Sequence, residues 1–222
     1  MTLMDSRPRG EAAQQLKRVA RRLFAERGVD GVTVREIAEA AGQKNHGAVS
    51  YHFGSKEALV RELVADGARL IDQRRNLQLD AMERSGGPFS VREVVEAMIW
   101  PSVALEEGGG EDSYTRFIVL LEMTHRDLFM DALENRWNSG YQRCLAHLRR
   151  LMPTMSAQAK SQRFLFMGRL LGAVLAAREQ ALADASRDHP TWASDATLEH
   201  LADTMTAMLE APAPALDRRG GI

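Results

Sequence analysis

The tract from Thr33 to Lys56 holds the residues whose types and spacing point to chemistry, and that chemistry is recognition without bond-making. Thr33-Val34-Arg35-Glu36 is a capping box: the Thr33 hydroxyl can accept from the backbone of Glu36, and the Glu36 carboxylate can reach back. Val32 and Ile37 fall at the flanking staple positions. Gly42, just after Ala40-Ala41, ends this helix, and a second short helix fits from about Gly47 to Phe53. Gly54-Ser55 then breaks and restarts the chain, with Ser55 as N-cap. Helix, Ala41-Gly42 turn, helix is the arrangement in which one short helix braces another whose N-terminal half can enter the major groove of DNA. Ala38 and Ala41 are small enough for the two helices to approach. Val34, Ile37 and Val49 can bind the pair to a preceding helix through Leu23 and Phe24.

The distribution of charge fits such a role. Residues 1–56 carry ten Lys and Arg against six Asp and Glu, a balance of +4, although the whole chain of 222 residues is −1. The remainder, with 19 against 24, is −5. A basic end on an acidic body suits a polyanionic partner for that end alone. On charge alone, a solvated basic helix face is an equal reading.

Other constellations fall short of a site. Gly42-x-x-x-x-Gly47 has half the spacing of a phosphate-binding loop, but Ala48-Val49 stands where Lys-Ser/Thr is needed and no strand precedes it. No Gly-x-Ser-x-Gly, His-Glu-x-x-His or Cys-x-x-Cys occurs. His125, His147, His189 and His200 have no ligand spacing among themselves, so no metal or cofactor is implied. The single cysteine, Cys144, falls on the apolar stripe of its helix and reads as core. A catalytic function is the least supported reading.

Three tracts in order resemble the tetracycline-repressor (TetR/AcrR) type of bacterial transcriptional regulator. They are Ala20-Arg21-Arg22-Leu23-Phe24-Ala25-Glu26-Arg27-Gly28, then Thr33-Val34-Arg35-Glu36-Ile37-Ala38-Glu39-Ala40-Ala41-Gly42, then Tyr51-His52-Phe53-Gly54-Ser55-Lys56-Glu57-Ala58-Leu59. The resemblance covers about residues 12–64; beyond it the chain is similar only in layout. Gln43 to Gly47 reads one residue longer than the usual turn, and Ser50 stands where an aromatic residue often precedes Tyr51. The resemblance implies that Tyr51 and His52 pack and contact backbone phosphate, that Lys56 lies beside a phosphate, and that Thr33 meets another at a helix N-terminus. It assigns base reading to Lys44, Asn45, His46, Ala48 and Ser50. Lys suits guanine and Asn suits adenine. Arg7 and Arg9 form either a minor-groove arm or a tail without structure.

These residues need a frame, and the pattern supplies an all-α one of about nine helices. Leu16, Val19, Ala20, Leu23 and Phe24 share one helix face that ends at Gly28. An unbroken helical pattern runs from Ser55 to about Arg84, and Ser90-Val91-Arg92-Glu93 is a second capping box with Phe89 and Val94 as staple. Further helices fit around residues 114–121, 130–148, 156–183 and 198–209, with Pro101 kinking the one that contains it and Asp184 to Ser194 as a loop. The expected division is a helix-turn-helix domain over 1–56, a ligand-binding and dimerisation domain over 57–210, and a frayed tail over 211–222. The longest apolar run is Ala97 to Leu105, nine residues against the roughly 20 that a spanning helix needs. With one cysteine and no apolar leader segment, the expected compartment is the cytoplasm.

Six of the 13 aromatic residues lie between positions 100 and 141, with methionines among them. By themselves they read as core filling. The resemblance implies instead an effector cavity lined by Met98, Trp100, Tyr114, Phe117, Met123, Trp137 and Tyr141. It also implies a homodimer whose interface draws on Phe164, Gly168, Leu171, Gly172 and Leu175 of one helix and Leu198, Leu201 and Met205 of the last. The expected protein is a homodimeric repressor that binds a palindromic operator and is released by a small apolar or amphipathic ligand. The alternative is a helical ligand-binding protein with no regulation through DNA.

Overall fold

The structure, a computed structural model, describes residues 9–105, 112–133 and 136–212. Eleven α-helices make up these residues, with no strand among them: α1 (Arg9–Arg27), α2 (Val34–Ala40), α3 (Ala48–Phe53), α4 (Lys56–Arg84), α5 (Val91–Ile99), α6 (Tyr114–Thr124), α7 (Arg126–Leu133), α8 (Ser139–Leu151), α9 (Ala157–Leu182), α10 (Pro190–Ala193) and α11 (Asp195–Glu210). The all-α expectation holds, with two more helices than expected. The pattern from Met130 to Leu148 is two helices, α7 and α8, and the loop before α11 contains the short α10. Pro101 does not kink a continuing helix. It ends one: α5 stops at Ile99 and the chain tightens into a 3-10 turn over Trp100–Ser102, because proline offers no N–H to an α-helical ladder.

The chain divides into two compact units. One is Met1–Ala68 with Ser113–Asn135; the other is Arg69–Asp112 with Arg136–Ile222. The helix-turn-helix expected to end at residue 56 therefore shares its core with the first part of α4 and with α6 and α7. The reason is apolar burial. Leu16, Ala20 and Phe24 of α1, Val32 and Ile37 around α2, Val49 of α3, and Leu59, Val60 and Val64 of α4 are fully buried. Phe117 of α6 stacks on Phe24, with ring centroids 6.0 Å apart. The second unit is built on a continuous cluster that joins Leu79 of α4, the apolar face of α5, Cys144 and Leu148 of α8, Phe164, Met167 and Leu175 of α9, and Leu198, Leu201 and Met205 of α11.

Both capping boxes form as the sequence predicts: Thr33 accepts from Glu36 N–H, and Ser90 from Glu93 N–H. Ser55 likewise caps α4, its hydroxyl accepting from Ala58 N–H at 3.0 Å. The staple at Ser90 does not form. Phe89 is 68% exposed and its ring lies over Gly86-Gly87, where no side chain obstructs it. Glu36 receives the Thr33 N–H, the Thr33 hydroxyl and the Arg27 guanidinium. These bonds, the backbone one foremost, pull its carboxyl from the ordinary 4.5 to about 2. The folded carboxylate thus binds protons less readily than the unfolded one, so its contribution is complete above 4.5 and is lost as pH falls toward about 2. Glu36→Gln should flatten that part of the stability profile, as measured by denaturation midpoints across the same window.

Candidate nucleic-acid interface

The frame for recognition is α2, the turn Ala41–Gly47, and α3. Gly42 takes φ +68°, the left-handed conformation that ends α2 sharply, and Gln43 N–H closes the turn onto Ala38 O at 2.9 Å. Ala38 and Ala41 are buried beneath the crossing, as their size predicts. The extra residue of the turn is absorbed by a local hydrogen bond. Asn45 Oδ1 accepts from Gly47 N–H at 2.8 Å and so launches α3, which has no side-chain cap at Gly47 itself.

Lys44, Asn45, His46, Ser50 and Tyr51 are all exposed on this element. Tyr51 is 64% exposed, and its ring meets the partly buried His52 edge-on at 5.0 Å. Several residues given roles from sequence are otherwise engaged. Ala48 is buried, at 5% exposure; it belongs to the seam that holds α3 down and is unavailable to a base edge. Asn45 spends its carbonyl on the turn, which leaves its Nδ2 as the polar group it can offer. His46 Nδ1 lies 3.7 Å from Glu39 Oε1, and the same oxygen accepts from Arg35 Nε at 2.8 Å. Thr33 is exposed at the start of α2, but its hydroxyl serves the capping box in both directions.

Lys56 shows something the sequence did not reveal. Its ammonium turns back to Val29 O at 3.0 Å and Val32 O at 3.1 Å, tying the α1–α2 connection to the start of α4. Two of its three donors are used in this way, and one is left for an anion. Lys56→Met should therefore cost about 1–3 kcal/mol of stability, the range for hydrogen bonds to a charged group, and weaken binding to all duplexes alike. Thermal denaturation, with titration of two unrelated duplexes, reads both effects.

The helix expected around residues 114–121 is α6, and what sequence reasoning missed is its packing into this unit. Tyr114 donates to Val64 O at 2.9 Å, and its ring lies where a side chain at position 67 of α4 would sit, within 2.1 Å of a Cβ on Gly67. Arg21 Nε of α1 donates to Ser113 Oγ at 3.3 Å. At the other end of α6, His125 Nε2 lies 3.2 Å from Asp30 Oδ2 in the α1–α2 connection. The signal available in the sequence was Gly67, a poor helix former inside a 29-residue helix.

The residues assigned to one cavity are distributed over both units. Tyr114 and Phe117 are buried in the first unit and Met123 is 75% exposed there. Met98, with Trp100 and Tyr141 packed against its cluster, lies in the second. Trp137 is half-buried in the second unit, beneath the Arg136 guanidinium at 5.7 Å. The residues assigned to a dimer surface also divide. Phe164, Leu175, Leu198, Leu201 and Met205 are buried in the chain's own core, whereas Gly168, Leu171 and Gly172 are part-exposed. Periodicity marks an apolar face without saying whether its own chain or a second one covers it. Arg7 and residues 213–222 of the tail lie outside the described residues, and Arg9 is the first residue of α1.

Comparison with known proteins follows this division of the chain. The family model for bacterial regulatory proteins of the tetR family matches residues 17–63, and that for the tetracyclin repressor-like C-terminal domain matches residues 96–208. The chain belongs to the tetR family. Its tetR-type module spans α1 to the start of α4, the part whose geometry is given above, and members of the family are DNA-binding regulators, not enzymes. The HTH-type transcriptional repressor AcnR of Corynebacterium glutamicum is 39% identical over 97 residues, which cover 42% of this chain and 47% of AcnR. The repressor KstR2 of Rhodococcus jostii is 48% identical over 50 residues, 22% of this chain and 24% of KstR2. The chain thus spans less than half the length of these relatives. Two solved tetR-like folds align along nearly the whole chain. A tetR family transcription regulator from Shewanella sp. PV-4 gives a TM-score of 0.56 at 15% identity, covering 89% of this chain and 95% of that one. The transcriptional regulatory protein RHA5900 gives 0.55 at 19%, covering 91% and 100%. No helix among the described residues is long and apolar enough to cross a membrane.

Proposed function

We propose that the protein is a homodimeric transcriptional repressor that binds a palindromic operator and is released by a small amphipathic ligand. The observation that carries the reading is the polar edge of α3 and its turn, with Lys44, His46, Ser50 and Tyr51 exposed on a frame fixed by buried alanines and by Lys56. Most protein–DNA hydrogen bonds go to phosphate. Lys56, Tyr51, His52 and the N-terminus of α2 at Thr33 serve that role here, while Lys44, His46, Ser50 and the Asn45 amide read bases. The relatives AcnR and KstR2 are named repressors, which favours repression over activation.

Two recognition helices are needed for two half-sites about one turn of DNA apart, and α9 offers the surface for pairing. Phe166, Ala173 and Ala177 fall on one exposed stripe, opposite the buried stripe of Phe164, Met167 and Leu175. The polar outer face of α11, with Glu199, His200 and Asp203, flanks rather than forms the apolar seam. Because α4 runs from Lys56 to Arg84, it carries residues of both units, and a ligand that prefers the state with altered spacing of the recognition helices weakens DNA binding through it. Linkage requires the operator to weaken ligand binding by the same factor. Sedimentation of the protein with an operator duplex tests the assembly: the reading expects two protomers per duplex, and a single protomer at saturation would contradict it.

A further inference from the structure

Arg75 of α4 is an unusual charge to find in the second unit. It is 7% exposed, and its stem lies against Gly140 of α8, where a Cβ would come within 3.1 Å of it. Burial lowers the pKa of its guanidinium, which expresses the cost of holding a cation away from water. The nearby Asp72 carboxylate offsets part of that cost through its charge, without a hydrogen bond to the guanidinium. The guanidinium's hydrogen-bond acceptors are all neutral: Ala97 O at 3.2 Å from Nε, and Met98 O and Ser102 Oγ, each 3.3 Å from Nη2. Asp72, one turn earlier on α4, is committed elsewhere. Its Oδ1 accepts from Gly140 N–H at 2.7 Å and its Oδ2 from the Ser139 hydroxyl at 2.8 Å, so it caps the N-terminus of α8.

A guanidinium has five N–H donors. Three are accounted for by these acceptors, and both N–H groups of Nη1 form no hydrogen bond among the described residues. Beside the Asp72 carboxylate, the side chains around it include Met98 and Cys144, fully buried in one apolar cluster, with Trp100 and Tyr141 packed against that cluster. We propose that Arg75 receives the anionic head group of the effector on its Nη1 edge, and that the effector is therefore an amphipathic carboxylate whose apolar body lies among the side chains around Met98. Three bonds to α5 and the turn after it hold the fork in place before the ligand arrives, so little ordering is needed on binding. An arginine that served only to hold the α5 carbonyls would have no use for an incoming anion. This inference rests on the effector reading above and deepens it.

The test uses full-length protein and probes matched in shape but not in charge: dodecanoate against 1-dodecanol, and 2-naphthoate against 2-naphthol. Affinity is read by calorimetry, and operator release by fluorescence anisotropy. At least one carboxylate should bind about tenfold or more tightly than its neutral counterpart, the advantage of a charge-assisted hydrogen bond. Arg75→Met, which keeps the stem, should erase that preference and leave the neutral probe's affinity unchanged. The wild-type comparison stands even if the variant fails to fold. Neutral probes that bind and release operator as well as or better than the carboxylates would overturn the role of Arg75 and leave the effector reading intact. If no probe binds, both fail.

Discussion

Gly67→Val should lower the thermal midpoint by roughly 2–12 °C, the effect of about 1–3 kcal/mol of overpacking in a chain of this size. The expectation rests on the Tyr114 ring, three of whose carbons lie 2.1–2.5 Å from the place a Cβ would occupy. The ring cannot swing away freely: it is 5% exposed and its hydroxyl is bonded to Val64 O. Gly67→Ala should also destabilise, although alanine is the better helix former. In a Tyr114→Ala background the same change should reverse sign and stabilise by about 0.5–1 kcal/mol, the ordinary helical advantage of alanine. The double-mutant cycle, measured by thermal or denaturant unfolding, separates the close packing from propensity. Equal effects of Gly67→Ala in the two backgrounds would remove Tyr114 as the reason for the glycine.

Ala173→Arg and Phe166→Arg should convert the proposed dimer to a monomer and weaken operator binding by roughly 10²–10⁴-fold, the advantage that linkage of two modules confers. Both residues lie on the exposed stripe of α9, so the fold of the single chain should tolerate either change. Light scattering reads the assembly and anisotropy the affinity. Leu175→Arg is the contrasting case. Leu175 is 4% exposed within the chain's own core, and its replacement should unfold the protein rather than merely separate protomers. A dimer that persists in both surface variants would remove α9 from the interface.

What could be read from the sequence was what local chemistry determines. Thr33 with Glu36, Ser90 with Glu93, Ser55, and the glycines at 28 and 42 each act on residues a turn away, and each acts as expected. The buried face of α1 follows from its apolar period for the same reason. What could not be read depends on residues far apart in the chain. Phe117 joins Phe24 across more than ninety positions, and the same aromatic character would have suited a cavity wall equally well. Lys56 has the charge of a phosphate ligand, and only the fold shows that two carbonyls already hold it. On α9 the apolar pattern covers most of the circumference, so no count of periods could separate Phe164, which faces inward, from Phe166, which does not. The family resemblance assigns Ala48 to base reading, whereas its small buried side chain serves packing beneath α3.

The central claim is that α3 and its turn read duplex DNA as a two-fold pair. Selection of bound fragments from the source genome by the full-length protein, followed by sequencing, tests it most directly. The account predicts an enriched inverted repeat, with half-site centres about one helical turn apart and an affinity that falls steeply as salt rises. Lys44→Ala should relax preference at one position of each half-site by roughly 1–3 kcal/mol, whereas Lys56→Met should lower binding without changing the motif. Retention of fragments with no common repeat, or a motif unaltered by every substitution on α3 and its turn, would contradict the account.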